Sequence, residues 1–153
     1  VIPASDDSGL VTIVVTDGNG EPANETLCTA VYNHIMSPDD PGARLTAPNA
    51  RLRVVAPSTL TLSISATVEL EAGYTIEAVK SAFITAVQQY LGTARADGEV
   101  KRSKISDLLG GISGVYDHGE VTLDKGGSNI KITQTQLPQV SEDSVTLTEG
   151  AVT

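Results

Sequence analysis

Apolar and polar residues alternate without interruption over the segment 59–71, and this pattern constrains the fold more than any other feature of the chain. Leucine, isoleucine, alanine and valine occupy every second position from Leu60 to Leu70, with threonine, serine and glutamate between them. Successive side chains of a β-strand point to opposite faces of a sheet. The alternation therefore predicts one long strand with a buried face and a solvent-facing one.

A helical pattern follows this strand. Thr75 is a suitable N-cap, and Tyr74 before it can pack on Val79. Apolar residues then recur at helical spacing: Ile76, Val79, Phe83, Ala86, Val87, Tyr90 and Leu91. This stripe must cover the buried face of the preceding strand, which predicts an α+β scaffold.

The rest of this half predicts shorter elements. We expect a loop over 93–98, an extended segment over 99–101 and a short helix capped by Ser103. A strand over 115–123 is expected to turn at 124–127 and form a hairpin with the segment 130–132. The tail 136–153 has spaced apolar residues without a strong period, and we expect it to be an extended arm.

The first third of the chain predicts a smaller set of elements. The continuous β-branched run 10–15 indicates a buried strand, Pro22 suits the first turn of a helix, and alternation over 51–56 indicates a second strand. Pro57 interrupts backbone pairing and is the expected boundary. We predict two small α+β units, each with a helix or helices packed on a mostly antiparallel sheet. Residues 1–56 form strand, helix and strand; residues 57–153 form long strand, helix, short helix, hairpin and C-terminal arm.

Charge and composition exclude several classes of function. The net charge of -9 would repel a phosphate backbone, and the densest basic group, Lys101, Arg102 and Lys104, fits a solvated edge or a contact with an acidic protein. Aromatic residues make up only 3% of the chain, which disfavours stacking on sugars or single-stranded nucleic acid. No long apolar run is present, so no signal peptide or membrane span is predicted.

The residues capable of nucleophilic or metal chemistry are scattered. Cys28, the single cysteine, falls in a helical stretch and is expected to be a small buried residue. His34 and His118 have no neighbouring ligands at metal-binding spacing. The predicted solvated loop charges are Asp6, Asp7, Asp39 and Asp40. A pocket that gathered Asp39 and Asp40 with either histidine would indicate a hydrolase.

Two loops resemble ligand-binding motifs only in part. Asp17–Glu21 begins like a calcium loop, but the twelfth position is Cys28 and not an acidic residue, so a plain turn is expected. Gly110–Gly114 follows a helix, whereas phosphate loops precede one, which favours a tight turn or a close approach of backbone. Ser113 lacks the spacing of a nucleophile elbow. The sequence predicts no catalytic, cofactor-binding or metal-binding residues and no cofactor.

Several landmarks, in their order along most of the chain, resemble the C-terminal part of the baseplate J family of contractile phage tails and prophage elements. The residues that carry the resemblance are Val11–Val15, Gly20–Ala23, Arg53–Pro57, Ile64–Val68, Gly73-Tyr74 and Ile112–Asp117.

The resemblance implies a structural protein of the tail baseplate wedge that joins neighbouring wedge subunits and takes part in the rearrangement before sheath contraction. It implies no enzymatic activity, partners among other baseplate or tail proteins, no nucleic acid or membrane, and assembly in the bacterial host cytoplasm. Self-association stays open. The alternative is a carbohydrate- or protein-binding adhesin module of a tail-like particle, which predicts exposed aromatic residues on a concave polar surface.

Overall fold

The computed structural model describes residues 9–47, 49–124 and 126–152. Contacts between Cα atoms divide the chain into two compact units. The first unit holds the chain up to Thr59 together with Gln134–Leu137, and the second unit holds Leu60–Thr133 and the chain from Pro138 onward. Pro57 is buried and lies just before the end of the first segment. The domain ranges 1–56 and 57–153 stay a prediction.

The first unit is a strand-helix-strand arrangement. Its elements are β1 (Leu10–Val14), α1 (Glu25–Met36), a short 3₁₀ turn (Pro41–Ala43) and β2 (Arg51–Val55). The two strands pair in parallel, with Leu10 opposite Arg51 and Val14 opposite Val55. The antiparallel pairing expected for this unit is wrong, because the intervening helix carries the chain back to the end at which β1 began.

Helix α1 begins later than the sequence suggested. The side chain of Asn24 accepts a hydrogen bond from the backbone N–H of Leu27 at 2.8 Å, and the helix starts at Glu25. Pro22, the expected first-turn residue, instead forms a β-bridge with Thr16. An asparagine side chain satisfies an exposed helical N–H, which proline cannot do, so the cap decides the start.

The remaining chain supplies two helices and eight strands among the described residues. These are β3 (Ser58–Thr61), β4 (Ile64–Leu70), α2 (Ile76–Asp97), β5 (Glu99–Val100), α3 (Arg102–Gly110), β6 (Val115–His118), β7 (Thr122–Leu123), β8 (Ile130–Lys131), β9 (Gln136–Gln139) and β10 (Val145–Glu149), with a 3₁₀ turn at Glu142–Ser144. Strand β4 is central, with β10 parallel on one side and β6 and β7 antiparallel on the other. Strand β5 pairs with β8, and β3 with β9. The α+β class is confirmed.

The long strand expected over 60–70 is broken at Leu62-Ser63. The Asp124 carboxylate accepts a hydrogen bond from the Ser63 N–H at 2.8 Å, and the Asp124 N–H donates to the Ser63 carbonyl oxygen at 2.9 Å. This reciprocal pair holds the break between β3 and β4. The alternation itself is confirmed, because Ile64, Ala66 and Val68 are buried while the residues between them are exposed.

Helix α2 covers the buried face of β4 and continues through the expected loop. Phe83 is completely buried, and Ala94 extends the buried stripe one turn beyond Leu91. The loop predicted over 93–98 is wrong, because Ala94 gains burial by staying helical and the chain leaves the helix only at Gly98, with φ of 71°. Seventeen described side chains form one core cluster: Leu62, Ile64, Ala66, Val68, Phe83, Ile84, Val87, Leu91, Ala94, Val100, Ile105, Leu109, Val121, Leu123, Ile132, Val140 and Val145.

The expected Ser103 cap of α3 is also wrong. The N-cap residue is Lys101, whose side chain makes no capping hydrogen bond. The Arg102 N–H donates instead to the side-chain oxygen of Asn129 at 3.0 Å. A residue distant in sequence therefore satisfies this helix start.

The hairpin and the extended arm are both corrected. Strand β7 pairs with β4, and β8 pairs with β5, so the segments on either side of the 124–127 turn go to different partners. The tail contributes β10, which lies beside β4 with Val145 opposite Ile64 and buried. An unpaired edge of β4 would expose backbone donors and acceptors, and the tail supplies their partner.

Candidate interaction surface

The sequence candidates for a catalytic site are divided between the two units. His34 is exposed on α1 of the first unit, and His118 is half-buried on β6 of the second, with its Nδ1 2.8 Å from the Gly119 carbonyl oxygen. Asp39 is exposed, and the Asp40 carboxylate accepts from the Gly42 N–H within the turn after α1. Asp6 and Asp7 lie outside the described residues. Within the described ranges, no group of three or more His, Cys, Asp or Glu residues is arranged to hold a metal ion.

The two loops behave as turns. One carboxylate oxygen of Asp17 accepts hydrogen bonds from the N–H groups of Asn19 and Glu21, at 2.8 and 2.9 Å. In the glycine-rich loop, Gly114 has a φ of 95°, and a Cβ atom added there would overlap the ring of Tyr74. The expected close approach is confirmed at Gly114.

Two further expectations concern single residues and a charged group. Cys28 is half-buried, not fully buried as expected, because α1 covers a small sheet. In the basic group, Arg102 forms an ion pair with Glu120 at 3.1 Å, and Lys104 lies 3.8 Å from Asp107. Part of this positive charge is therefore compensated within the second unit. No helix among the described residues has the length and apolar character needed to cross a membrane.

Two tyrosines are exposed at one end of the β4 sheet. Tyr116 is 72% exposed and Tyr74 is 46% exposed. Sequence analysis missed them as surface residues, because their positions beside apolar neighbours fit a core as well as a surface. Their exposure has separate causes in the two flanking segments.

A β-bulge sets the exposure of Tyr116. Glu69 lies opposite Asp117, but the next residue of β4, Leu70, lies opposite Val115, so Tyr116 is an extra residue in β6. A bulge of this kind turns a side chain away from the regular alternation. Tyr116 is thereby directed into solvent.

Acidic residues surround the two tyrosines. Glu71, whose N–H donates to the Gly114 carbonyl oxygen at 2.9 Å, and Asp117 are both exposed. Glu69 is half-buried on the strand opposite Asp117. We call the set Tyr74, Tyr116, Glu69, Glu71 and Asp117 the tyrosine surface.

A shallow pocket of about 200 Å³ adjoins the tyrosine surface. It is lined by Glu69, Leu70, Glu149, Gly150 and Ala151. The Glu69 carboxylate accepts a hydrogen bond from the Val152 N–H at 3.5 Å. Glu149 lies opposite Val68, so its side chain leaves the opposite face of the sheet from that of Glu69.

The sheet of the first unit is a second incompletely covered region. All five residues of β1 are half-buried, and Arg51 and Arg53 of β2 are exposed. Apart from Pro57, the buried apolar side chains that the structure describes in this unit are Ala23 and Met36. Parallel sheets are ordinarily covered on both faces. The first unit therefore leaves apolar sheet surface accessible.

Comparison with known proteins gives a family match and two relatives. Residues 62–148, more than half of the chain, match the family model described as Baseplate J-like protein C-terminal domain. The phage-like element PBSX protein XkdT of Bacillus subtilis (strain 168) is 24% identical over 143 residues, which are 93% of this chain and 41% of that protein. The uncharacterized protein YqbT of the same strain is 25% identical over 146 residues, or 95% and 42% respectively. The chain spans less than half the length of these relatives.

Proposed function

This chain belongs to the baseplate J-like family, and from that premise we propose that it joins wedge subunits of a contractile phage or prophage tail baseplate during tail assembly. Membership of the family supports a structural role in the phage tail, with other tail or baseplate proteins as the proposed partners. The match over residues 62–148 carries the proposal. We further propose that assembly takes place in the bacterial host cytoplasm.

The uncovered regions of both units support a role in subunit contacts. Stable interfaces between proteins bury apolar surface at their centre and are enriched in tyrosine and arginine. The first unit offers the half-buried strand β1 with Arg51 and Arg53 beside it. The second unit offers Tyr74 and Tyr116. Both are surfaces on which a neighbouring subunit would gain contact area.

We propose that the protein acts by binding and not by catalysis. His34 is exposed on α1, Asp39 and Asp40 are exposed after that helix, and His118 is half-buried at the end of β6, a distribution that supports this proposal. General acid-base catalysis requires such groups within hydrogen-bonding reach of one substrate. Purified protein should hydrolyse neither model esters nor bacterial cell-wall fragments, and turnover that is lost in His118→Ala would contradict the proposal.

The alternative of an adhesin module draws on the exposure of Tyr74 and Tyr116, because aromatic rings can stack on sugars. The flanking carboxylates of Glu71 and Asp117 also accept hydrogen bonds from hydroxyl groups. This alternative predicts that the isolated protein binds immobilised host polysaccharide. Binding that disappears in Tyr116→Ala would support the adhesin over the assembly role.

The direct test is baseplate assembly. Tails are produced from the parent gene cluster with the segment that encodes this chain deleted, and particles are viewed by negative-stain electron microscopy. We expect incomplete baseplates, restored when the intact gene is supplied in trans. Gln89→Lys, a charge change at an exposed position of α2, serves as a control that should assemble normally. Complete baseplates in the deletion would contradict the assignment.

A further inference from the structure

We propose that the tyrosine surface binds a basic segment of a neighbouring baseplate protein, with an arginine or lysine side chain placed against Glu69 and Asp117. This inference rests on the proposed function and names the chemistry of one partner. It is carried by the juxtaposition of exposed tyrosines and two facing carboxylates that form no ion pair within the part of the chain that the structure describes.

The aromatic part of the surface is held in place by the backbone. The Tyr74 ring lies against Gly114, where any side chain would overlap it, and the Gly114 carbonyl oxygen accepts from the Glu71 N–H. The bulge in β6 sets the backbone at Tyr116, two residues further on. Tyrosines that are positioned before binding lose little conformational entropy in the complex, which is a property of strong interface anchors.

The charged part of the surface is internally unfavourable. Glu69 and Asp117 lie directly opposite each other on antiparallel strands, and like charges in this position destabilise a sheet. The ion pairs found among the described residues join Arg102 to Glu120 and Lys104 to Asp107, and neither involves the tyrosine surface. A cation supplied by a partner would remove this repulsion.

The facing carboxylates favour one form of that cation. Glu69 and Asp117 lie opposite each other on β4 and β6, and Tyr116 is next to Asp117 in the chain. A guanidinium group can form paired hydrogen bonds with carboxylates, and its aliphatic stem can cover apolar surface. The same cation would be attracted to the face of a tyrosine ring. An arginine can make all of these contacts, and a lysine can make most of them.

The charge also argues against other occupants. A nucleic acid or an acidic protein would be repelled by Glu69, Glu71, Asp117 and Glu149, in a chain whose net charge is -9. A neutral apolar partner would bury the carboxylates without compensation, which is costly. Charge complementarity therefore commits the surface to a basic partner.

The test uses the proteins encoded by the adjoining tail genes, each purified separately and titrated against this protein by isothermal calorimetry at low and high salt. One of them should bind, with an affinity that decreases as salt screens the charges. Tyr116→Ala should weaken binding by on the order of 30-fold, as expected for an anchor residue. Glu69→Lys combined with Asp117→Lys should weaken binding at least as much.

Matched variants distinguish a lost contact with the partner from a loss of folding. Tyr116→Phe keeps the ring and should bind within a few-fold of the original protein, while Tyr32→Ala removes an exposed tyrosine of the first unit and should not change binding. All variants should show unchanged thermal midpoints. Reversal of one arginine or lysine of the partner to glutamate should restore binding to the doubly lysine-substituted protein.

Several outcomes would overturn the inference. These are binding that Tyr116→Ala leaves unchanged, binding that salt does not weaken, a failure of every tested protein to bind, or self-association that the same variants abolish, since a second copy would then be the occupant. Particle assembly distinguishes this failure from that of the proposed function. Normal baseplates with Tyr116→Ala, together with defective baseplates in the deletion, would refute the basic partner and leave the assembly role standing.

Discussion

The two units use similar elements but cover their sheets to very different degrees. In the second unit, β4 lies between neighbouring strands under α2, and Phe83, Val68 and Ile105 are fully buried. In the first unit, every residue of β1 remains half-buried. A central strand that has neighbouring strands on both sides and a long helix over one face can enclose a core. Two parallel strands with one short helix cannot.

This difference assigns the units different physical tasks. The second unit holds the buried core cluster, and its exposed tyrosines lie at the edge of that core. The first unit retains apolar strand surface that a neighbouring protein would cover. We therefore expect the stability of the isolated chain to reside in the second unit and that of the first unit to rise on assembly.

The largest effect should come from the centre of the closed core. Phe83→Ala removes a fully buried ring and should lower the free energy of unfolding by roughly 3 to 5 kcal/mol, measured by urea denaturation. Tyr32→Ala, at a 37% exposed position in the first unit, should change it by no more than about 0.5 kcal/mol. A loss under about 1 kcal/mol at Phe83 would show that α2 does not hold the core.

Alanine substitutions at two glycines of the second unit should change the free energy of unfolding in opposite directions. Gly114→Ala places a side chain at φ of 95° against the Tyr74 ring and should cost about 1 to 3 kcal/mol. Gly92→Ala lies in open space on α2 and should stabilise by about 0.5 to 1 kcal/mol. Thermal unfolding of both variants measures the contrast. Equal midpoints would mean that the Tyr74 loop is not fixed by Gly114.

The reciprocal hydrogen bonds between Ser63 and Asp124, at the break between β3 and β4, should contribute less to the free energy of unfolding. Asp124→Ala removes the acceptor of the Ser63 N–H at a residue with φ of 48°, and should cost about 1.5 kcal/mol. Asp124→Asn keeps an acceptor oxygen and tolerates the left-handed conformation, so it should recover most of the loss. Urea midpoints of the two variants test this order. An alanine variant as stable as the asparagine one would show that the Asp124 side chain does not stabilise the break between β3 and β4.

The smallest expected effect lies in the first unit. Asn24→Ala removes the cap of α1 and should destabilise that helix by about 1 kcal/mol, while Asn24→Asp should preserve it. The loss should appear when thermal unfolding of the first unit is monitored through the nuclear magnetic resonance signals of α1. The signals of α2 should be unchanged. An equal shift of both sets would indicate that the two units unfold together.

The sequence predicts those parts of the fold that depend on local pattern. Alternation identifies β4, and the stripe of Val79, Phe83 and Leu91 identifies α2 and the face that it buries. The partners of β7, β8 and β10 escape prediction because a two-residue strand carries almost no periodic signal, and because pairing depends on which edges the rest of the fold leaves open.

The tyrosine surface escapes prediction for a related reason. The exposure of Tyr116 arises from a shift of register between β4 and β6, which is a property of two strands together. Gly114 is the one local signal, since a glycine beside a strand suggests close packing of another group. The sequence does not state that this group is Tyr74.

Hydrogen exchange tests most directly the claim that the second unit is complete while the first unit depends on a partner. Amide protection of β1 and β4 is measured by mass spectrometry in the isolated chain and in assembled baseplates. We expect strong protection of β4 in both samples, and weak protection of β1 that rises on assembly. Protection of β1 equal to that of β4 in the isolated chain, or unchanged by assembly, would contradict it.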